Sequence, residues 1–255
     1  TTATVGFTKL SAAVTDLTIS GLSYTDTDSS AFDDDVALTL TASRGTDTTA
    51  DTLAITLGSA TAETGVGMAD TTDALTLSIT VDNEETLSIA STGAANYITA
   101  LVAADATSLT LTGSKALTIA GLTAAALRTI DASAMTGAAS VVAANNLANT
   151  ITGGSGNDTL VGGTGADSIT GGAGENNIDG GNGANIITAG DSNDTIAAGT
   201  GNDVIDGGAG NDAITAGAGM DNVSGGAGND TITVALNGDF VSSTGGLETV
   251  SGGAG

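Results

Sequence analysis

The chain has 255 residues, enough for one large domain or two ordinary ones, and its 29 acidic against 4 basic residues give a net charge of −25. Such a surface repels nucleic acid and anionic membrane faces and attracts cations. Cys, His, Pro and Trp are all absent, which excludes a disulfide framework, a thiolate metal site, and the commonest transition-metal ligand and general base.

Along the first half, TDLTISG, VALTLTA, DTLAITLG, ALTLSITV, ETLSIAS, SLTLTGS and ALTIAG alternate apolar residues with Thr or Ser. Period-two alternation rich in Thr, Ile, Leu and Val predicts half-buried strands, with turns at the Gly, Asp, Asn and Ser clusters between them. From Leu109 the strand centres recur every eight to thirteen residues, through Leu117, Ile130, Val141 and Ile151, which is the rhythm of a β-solenoid. Residues 1–90 are less regular and also fit a small sandwich. Two Ala-rich stretches, ANYITALVAADA and LTAAALRT, fit short helices. The opening at Thr1, with no Met and no basic-then-apolar leader, fits a processed chain or a piece of a longer one. No run of about 18 apolar residues spans a bilayer.

Composition changes near residue 143, where we place the boundary between a Thr/Ala-rich solenoid-like region, 1–143, and a second region, 144–255. Of the 39 Gly, 10 precede that point and 29 follow it. All four basic residues, Lys9, Arg44, Lys115 and Arg128, also precede it.

The second region is a nonapeptide repeat, beginning GGSGNDTLV at Gly153 and running in unbroken register to Thr233. Position two is always Gly. Position eight is always apolar: Leu160, Ile169, Ile178, Ile187, Ile196, Ile205, Ile214, Val223 and Ile232. Position six is always Asp or Asn: Asp158, Asp167, Asn176, Asn185, Asp194, Asp203, Asp212, Asp221 and Asp230. Asn149 with Ile151 keeps the phase before the run. Asp239 with Val241, and Glu248 with Val250, keep it afterwards. GGAG at 252–255 opens a further copy, as in a chain that continues in its parent protein. A solvated Gly/Asp/Asn linker is the alternative, but linkers do not hold an apolar residue at every ninth position.

One buried aliphatic side chain per nine residues stabilises less than the ordering of a Gly-rich backbone costs. The stacked carboxylates also repel one another, so this region alone in water is expected to be largely unfolded. Calcium resolves the conflict. It is a hard cation that takes six to eight oxygens from carboxylates and backbone carbonyls. Six residues, GGxGxD, form a loop and three form a short strand. Two such units make an 18-residue coil, so that like loops stack. The position-six residues then fall in two columns: Asp158, Asn176, Asp194, Asp212 and Asp230; and Asp167, Asn185, Asp203, Asp221 and Asp239. Each ion is expected between consecutive members of a column. Carbonyls would come from Ala198, Gly199, Thr200 and Gly201; from Gly207, Gly208, Ala209 and Gly210; from Gly217 and Gly219; and from Gly225, Gly226, Ala227 and Gly228. The best-formed cages pair Asp194 with Asp212, Asp212 with Asp230, and Asp203 with Asp221. Asn176 and Asn185 keep an oxygen but lose a charge, so weaker sites are expected there. Asp239 lacks a Gly-rich loop. Ser192 replaces the fourth Gly in AGDSND and is expected to strain its turn.

GGSGNDTLV, GGAGNDAIT and GGAGNDTIT resemble the calcium-binding repeats of RTX (repeats-in-toxin) proteins, strongly over 153–233 and loosely over 144–255. The resemblance implies a parallel β-roll, calcium-dependent folding, and export by a type I machine. VDNEETLSIASTGA, ATSLTLTGSKALTIAGL and TIDASAMTGA are similar in style to the Thr/Ala-rich β-solenoid bodies of RTX-type bacterial S-layer proteins. The expected fold is therefore all-β: a parallel β-solenoid with a C-terminal RTX calcium β-roll.

Catalytic constellations are hard to find. Without His there is no HExxH zinc helix and no His to activate a Ser, and no GxSxG elbow occurs. Lys9 and Lys115 lie in no recognisable motif, and calcium explains the regular carboxylates better than paired acid/base catalysis does. TDTDSSAFDDD, residues 25–35, and VDNEE, residues 81–85, read either as exposed acidic loops or as further calcium sites. Tyr24, Phe32, Tyr97 and Phe240 read as core or rim packing. The expectation is a non-enzymatic, secreted surface (S-layer) protein whose folding and lattice assembly depend on calcium. Its partners would be copies of itself in a two-dimensional lattice, and cell-surface polysaccharide through a region outside this chain. An RTX adhesin or biofilm protein, or the non-catalytic region of a secreted RTX enzyme or toxin, are the alternatives.

Overall fold

The computed structural model describes residues 2–10, 16–20, 37–44, 52–58, 76–82, 85–92, 95–143, 145–235, 240–242 and 249–253. All regular structure among them is β, their strands pair in parallel, and they contain no helix. The chain is a parallel β-solenoid. It divides into two compact units, Thr1–Leu127 and Arg128–Gly255.

In the first unit, Thr2–Leu10, Ala37–Arg44, Thr76–Asp82, Ala100–Ala103 and Leu122–Thr123 stack in that order as one sheet. Asp16–Ser20, Thr52–Gly58, Thr86–Thr92 and Ser108–Gly113 stack as another, and Asn96–Ile98 pairs with Leu117–Ile119. The period-two alternation does what it predicts. Leu53, Ile55, Leu57, Leu77, Ile79, Leu87, Ile89, Leu109 and Leu111 are buried, and the Thr and Ser between them look outward. Coil length shortens along the chain: Leu17 is registered with Ile55, but Leu101 with Leu122.

Two expectations are corrected here. The described strands of residues 1–90 stack as parallel solenoid coils, not as a sandwich, because each strand's neighbour is the strand one coil on. The Ala-rich stretches are not helices. ANYITALVAADA supplies the strands Asn96–Ile98 and Ala100–Ala103, and LTAAALRT supplies Leu122–Thr123 and a turn. Ala103, Ala106 and Ala124 from these stretches are buried in the core. The tracts at 25–35 and 83–84, with Tyr24, Phe32, Asp239 and Glu248, lie outside the described residues. Tyr97 is half-buried in its strand.

In the second unit, Thr150–Thr152, Ser168–Gly172, Ile186–Asp191, Val204–Ala209, Asn222–Ser224 and Phe240–Ser242 form one ladder. Thr159–Val161, Asn177–Asp179, Thr195–Ala197, Ala213–Thr215, Thr231–Ala235 and Thr249–Gly253 form the other. Partners lie 18 residues apart throughout, as Ile187 lies from Ile205 and Ile196 from Ile214. Each coil is therefore two nonapeptides. All nine position-eight side chains are buried, none more than 2% exposed. The two faces differ, however. Strands of the second ladder hold mostly to three residues, whereas Ile186–Asp191 and Val204–Ala209 run to six, through the following loop's first three positions.

Candidate metal centre

The loops explain their own glycines. From Gly172 onward, positions two and four have φ between +80° and +154°, a region where L side chains are strained. A methyl group on Gly199 would also overlap the carbonyl oxygen of Gly181 one coil earlier, and one on Gly219 would overlap that of Gly201. Ser192 is the one non-glycine residue with positive φ among the described residues, at +83°. The strain read at this position in the sequence is present.

Close stacking brings the position-six side chains inside. Among the described residues of this unit, the buried polar side chains are Asn149 and the nine position-six residues, each 1–3% exposed. They run as two columns of hydrogen bonds. The N–H of Asp158 donates to Asn176 Oδ1, that of Asn176 to Asp194, that of Asp194 to Asp212, and that of Asp212 to Asp230, at 2.7–3.0 Å. In the other column Asn149, Asp167, Asn185 and Asp203 donate in the same way to Asp167, Asn185, Asp203 and Asp221. The structure thus brings together the residues that the 18-residue period placed together.

One carboxylate oxygen is thereby satisfied and the other is not. The Oδ2 atoms of Asp167, Asp194, Asp203, Asp212 and Asp230 are buried with no hydrogen-bond partner. Each is an acceptor, and its surroundings are acceptors too. A methyl group built on Gly207 would meet Asp212 Oδ2 at 2.5 Å and the carbonyl oxygen of Gly225 at 2.6 Å. On Gly162 it would meet Asp167 Oδ2 at 2.6 Å and the carbonyl oxygen of Gly180 at 2.7 Å. Two converging oxygens cannot bond to one another; they need a proton or a cation between them. Burial accordingly raises the carboxyls of Asp158, Asp167, Asp203 and Asp212 above the ordinary carboxylate range. For Asp194, burial with repulsion from Asp212 outweighs the hydrogen bond from the Asn176 N–H and pushes it up to about 6.

No group of three acidic side chains converges among the described residues, so a cation here must draw on backbone oxygens as well. Calcium accepts such a shell. The loop carbonyls are stacked for it. Those of Gly199, Thr200, Gly208 and Ala227 each accept one N–H from a neighbouring coil and keep a second lone pair. Those of Gly201 and Gly210 lie against the α-carbons of Gly219 and Gly228, and Gly208 and Gly226 likewise lie over Gly190 and Gly208. Gly217 lies over the Gly199 carbonyl. Ala209 bridges in parallel to Ala227. Ala198 presents its carbonyl to the Asn185 amide instead.

Two features escaped the sequence reading. Asp158 is fully partnered, with the Ala139 N–H on Oδ1 and the Gly154 N–H on Oδ2, both at 2.7 Å. The carbonyl oxygens beside the Oδ2 atoms of Asp167 and Asp212 come from Gly180 and Gly225, each 13 residues further on, a spacing visible only once the coil is built.

A parallel roll with buried, half-satisfied carboxylates stacked through its later coils has the donor set of a calcium-binding β-roll. Comparison with protein families agrees: the RTX calcium-binding nonapeptide repeat (4 copies) matches residues 144–178, 152–187, 179–214, 188–222, 198–232 and 215–246. Residues 144–246 form an RTX β-roll, and calcium is the ion such repeats bind. No curated protein and no solved structure matches it.

Proposed function

We propose that this chain is the calcium-folded body of a bacterial surface-coat (S-layer) protein, exported by a type I route, with Asp194, Asp203, Asp212, Asp221 and Asp230 and their loop carbonyls as the principal ligands. The observation that carries the reading is the outward face of the roll, which repeats every coil without a basic side chain after Arg128. On that face Ile186 and Val204 stand side by side, 56% and 46% exposed, an apolar pair suited to a lateral contact between copies. A net charge of −25 opposes such contacts until a divalent ion screens or bridges it. Calcium acts first on folding, since a ligand that binds only the folded state stabilises it by mass action. Low cytosolic calcium then leaves the repeats loose for export, and millimolar calcium outside folds them.

The test is electron microscopy of the purified protein with millimolar calcium and with chelator. Ordered sheets that appear only with calcium support the coat reading. Folded but dispersed particles retain the roll and transfer the function to adhesion, or to a catalytic domain elsewhere in the parent protein.

A further inference from the structure

The position-six Asn residues occupy the same niche as the Asp residues but fill it differently. Asn176 Oδ1 accepts the Asp158 N–H at 3.0 Å, so its Nδ2 is turned into the loop, where it donates to the carbonyls of Gly174 at 3.0 Å and Ala189 at 3.5 Å. Asn185 Oδ1 accepts the Asp167 N–H, and its Nδ2 donates to the Ala198 carbonyl at 3.2 Å. Asn149 shares only part of this: its Nδ2 donates to the carbonyls of Leu147 at 2.8 Å and Gly162 at 3.5 Å and to the Oδ1 atoms of Asn145 at 2.9 Å and Asp167 at 3.2 Å, while its Oδ1 accepts from the Asn145 amide. Ala189, Ala198 and Gly162 each lie 13 residues beyond their Asn. Gly225 lies 13 beyond Asp212, and it is the Gly225 carbonyl that faces Asp212 Oδ2. Where Asp leaves two oxygens in need of a cation, Asn supplies an N–H that joins them.

We infer that Asn149, Asn176 and Asn185 stand in for calcium with their own side-chain amides, dividing the roll into early turns that close without the ion and later turns that require it. Asp158, held by two backbone N–H groups, belongs to the early set. Of the turns through Asn185, only that of Asp167 leaves a carboxylate oxygen without a partner; beyond it Asp194, Asp203, Asp212 and Asp230 all do. The early coils then present a formed edge at Ile186–Asp191, onto which Val204–Ala209 pairs in parallel once calcium arrives. The roll grows from that edge toward the C-terminus, with no nucleus to form in solution. This inference rests on the calcium reading of Asp194 onward.

Amide hydrogen exchange on the full chain separates the two. In chelator, the strands Thr159–Val161, Ser168–Gly172 and Asn177–Asp179 are expected to exchange at least about tenfold more slowly than Val204–Ala209 and Ala213–Thr215. Calcium should then slow chiefly the later pair. The double variant Asn176→Asp, Asn185→Asp should lose the early protection in chelator, regain it in calcium, and bind about two further calcium ions by equilibrium dialysis. In case that variant fails to fold, Asp194→Asn supplies the reciprocal test, extending the chelator-resistant region by one turn. Early and late strands equally unprotected in chelator but equally protected by calcium would overturn the amide inference and leave the calcium reading standing. Exchange unchanged by calcium anywhere would overturn both.

Discussion

Asp212 sits where replacement by Ala and by Asn should part company. Its Oδ1 accepts the Asp194 N–H at 2.8 Å, and its Oδ2 faces the Gly225 carbonyl with no donor between them. Asp212→Ala strands the buried Asp194 N–H, a loss of about 1–3 kcal/mol with or without the ion. Asp212→Asn keeps that acceptor. It also places an N–H against Gly225, as Asn185 does against Ala198, a gain of about 0.5–1.5 kcal/mol in chelator. It removes a charge that raises Asp194 as well. In calcium the same variant forfeits a binding site, which at a hundredfold excess over Kd is worth about 2.7 kcal/mol. The order of stability in chelator should therefore be Asn, Asp, Ala, and in saturating calcium Asp, Asn, Ala. Amide exchange over 204–215, with far-UV circular dichroism during calcium titration, reads both orders. The same order in both conditions would refute the argument that Oδ2 faces an ion.

Three further outcomes follow from the geometry. Ile205→Ala, at a side chain 1% exposed between Ile187 and Val223 in its ladder, should cost about 2–5 kcal/mol in calcium-saturated thermal unfolding; a negligible cost would mean position eight is not a core rung. Ser192→Gly, at φ +83°, should raise stability by about 0.5–1 kcal/mol, since glycine relieves the left-handed strain at a smaller cost in chain entropy; a lower melting temperature would count against it. Acidity should act in opposite directions with and without the ion. The folded carboxyl of Asp194 is raised from 3.8 to about 6, so the proton favours the folded state. Without calcium that contribution is fully present below pH 3.8 and is lost as pH rises through about 6. With calcium, protons compete for the same oxygens, and the calcium midpoint should climb as pH drops below about 6. Dichroism across that range in each condition measures both slopes.

The roll was legible because its grammar is strict. An aliphatic residue at every ninth position can be buried only if the coil closes in 18 residues, and Ile187 over Ile205 confirms it. Ser192 was legible as strain because every other fourth position in the repeat is glycine. Residues 1–90 were harder, since period-two alternation marks a strand without saying whether its neighbour runs parallel, and the long links between Leu17 and Ile55 hid the coil period. The Ala-rich stretches misled because alanine favours helix in isolation, whereas here parallel pairing with the neighbouring coils holds them as strands and buries Ala103 and Ala106. The amide direction of Asn176 could not be read at all. It depends on which atom the Asp158 N–H engages, and that contact exists only between coils.

The most direct measurement is a far-UV circular dichroism titration of the full chain from chelator into calcium, with magnesium as the control. Calcium should add β-structure in a cooperative step, while magnesium, which holds its waters and demands a smaller octahedral cage, should not. A spectrum already complete in chelator, or restored equally by magnesium, would contradict a roll closed by calcium.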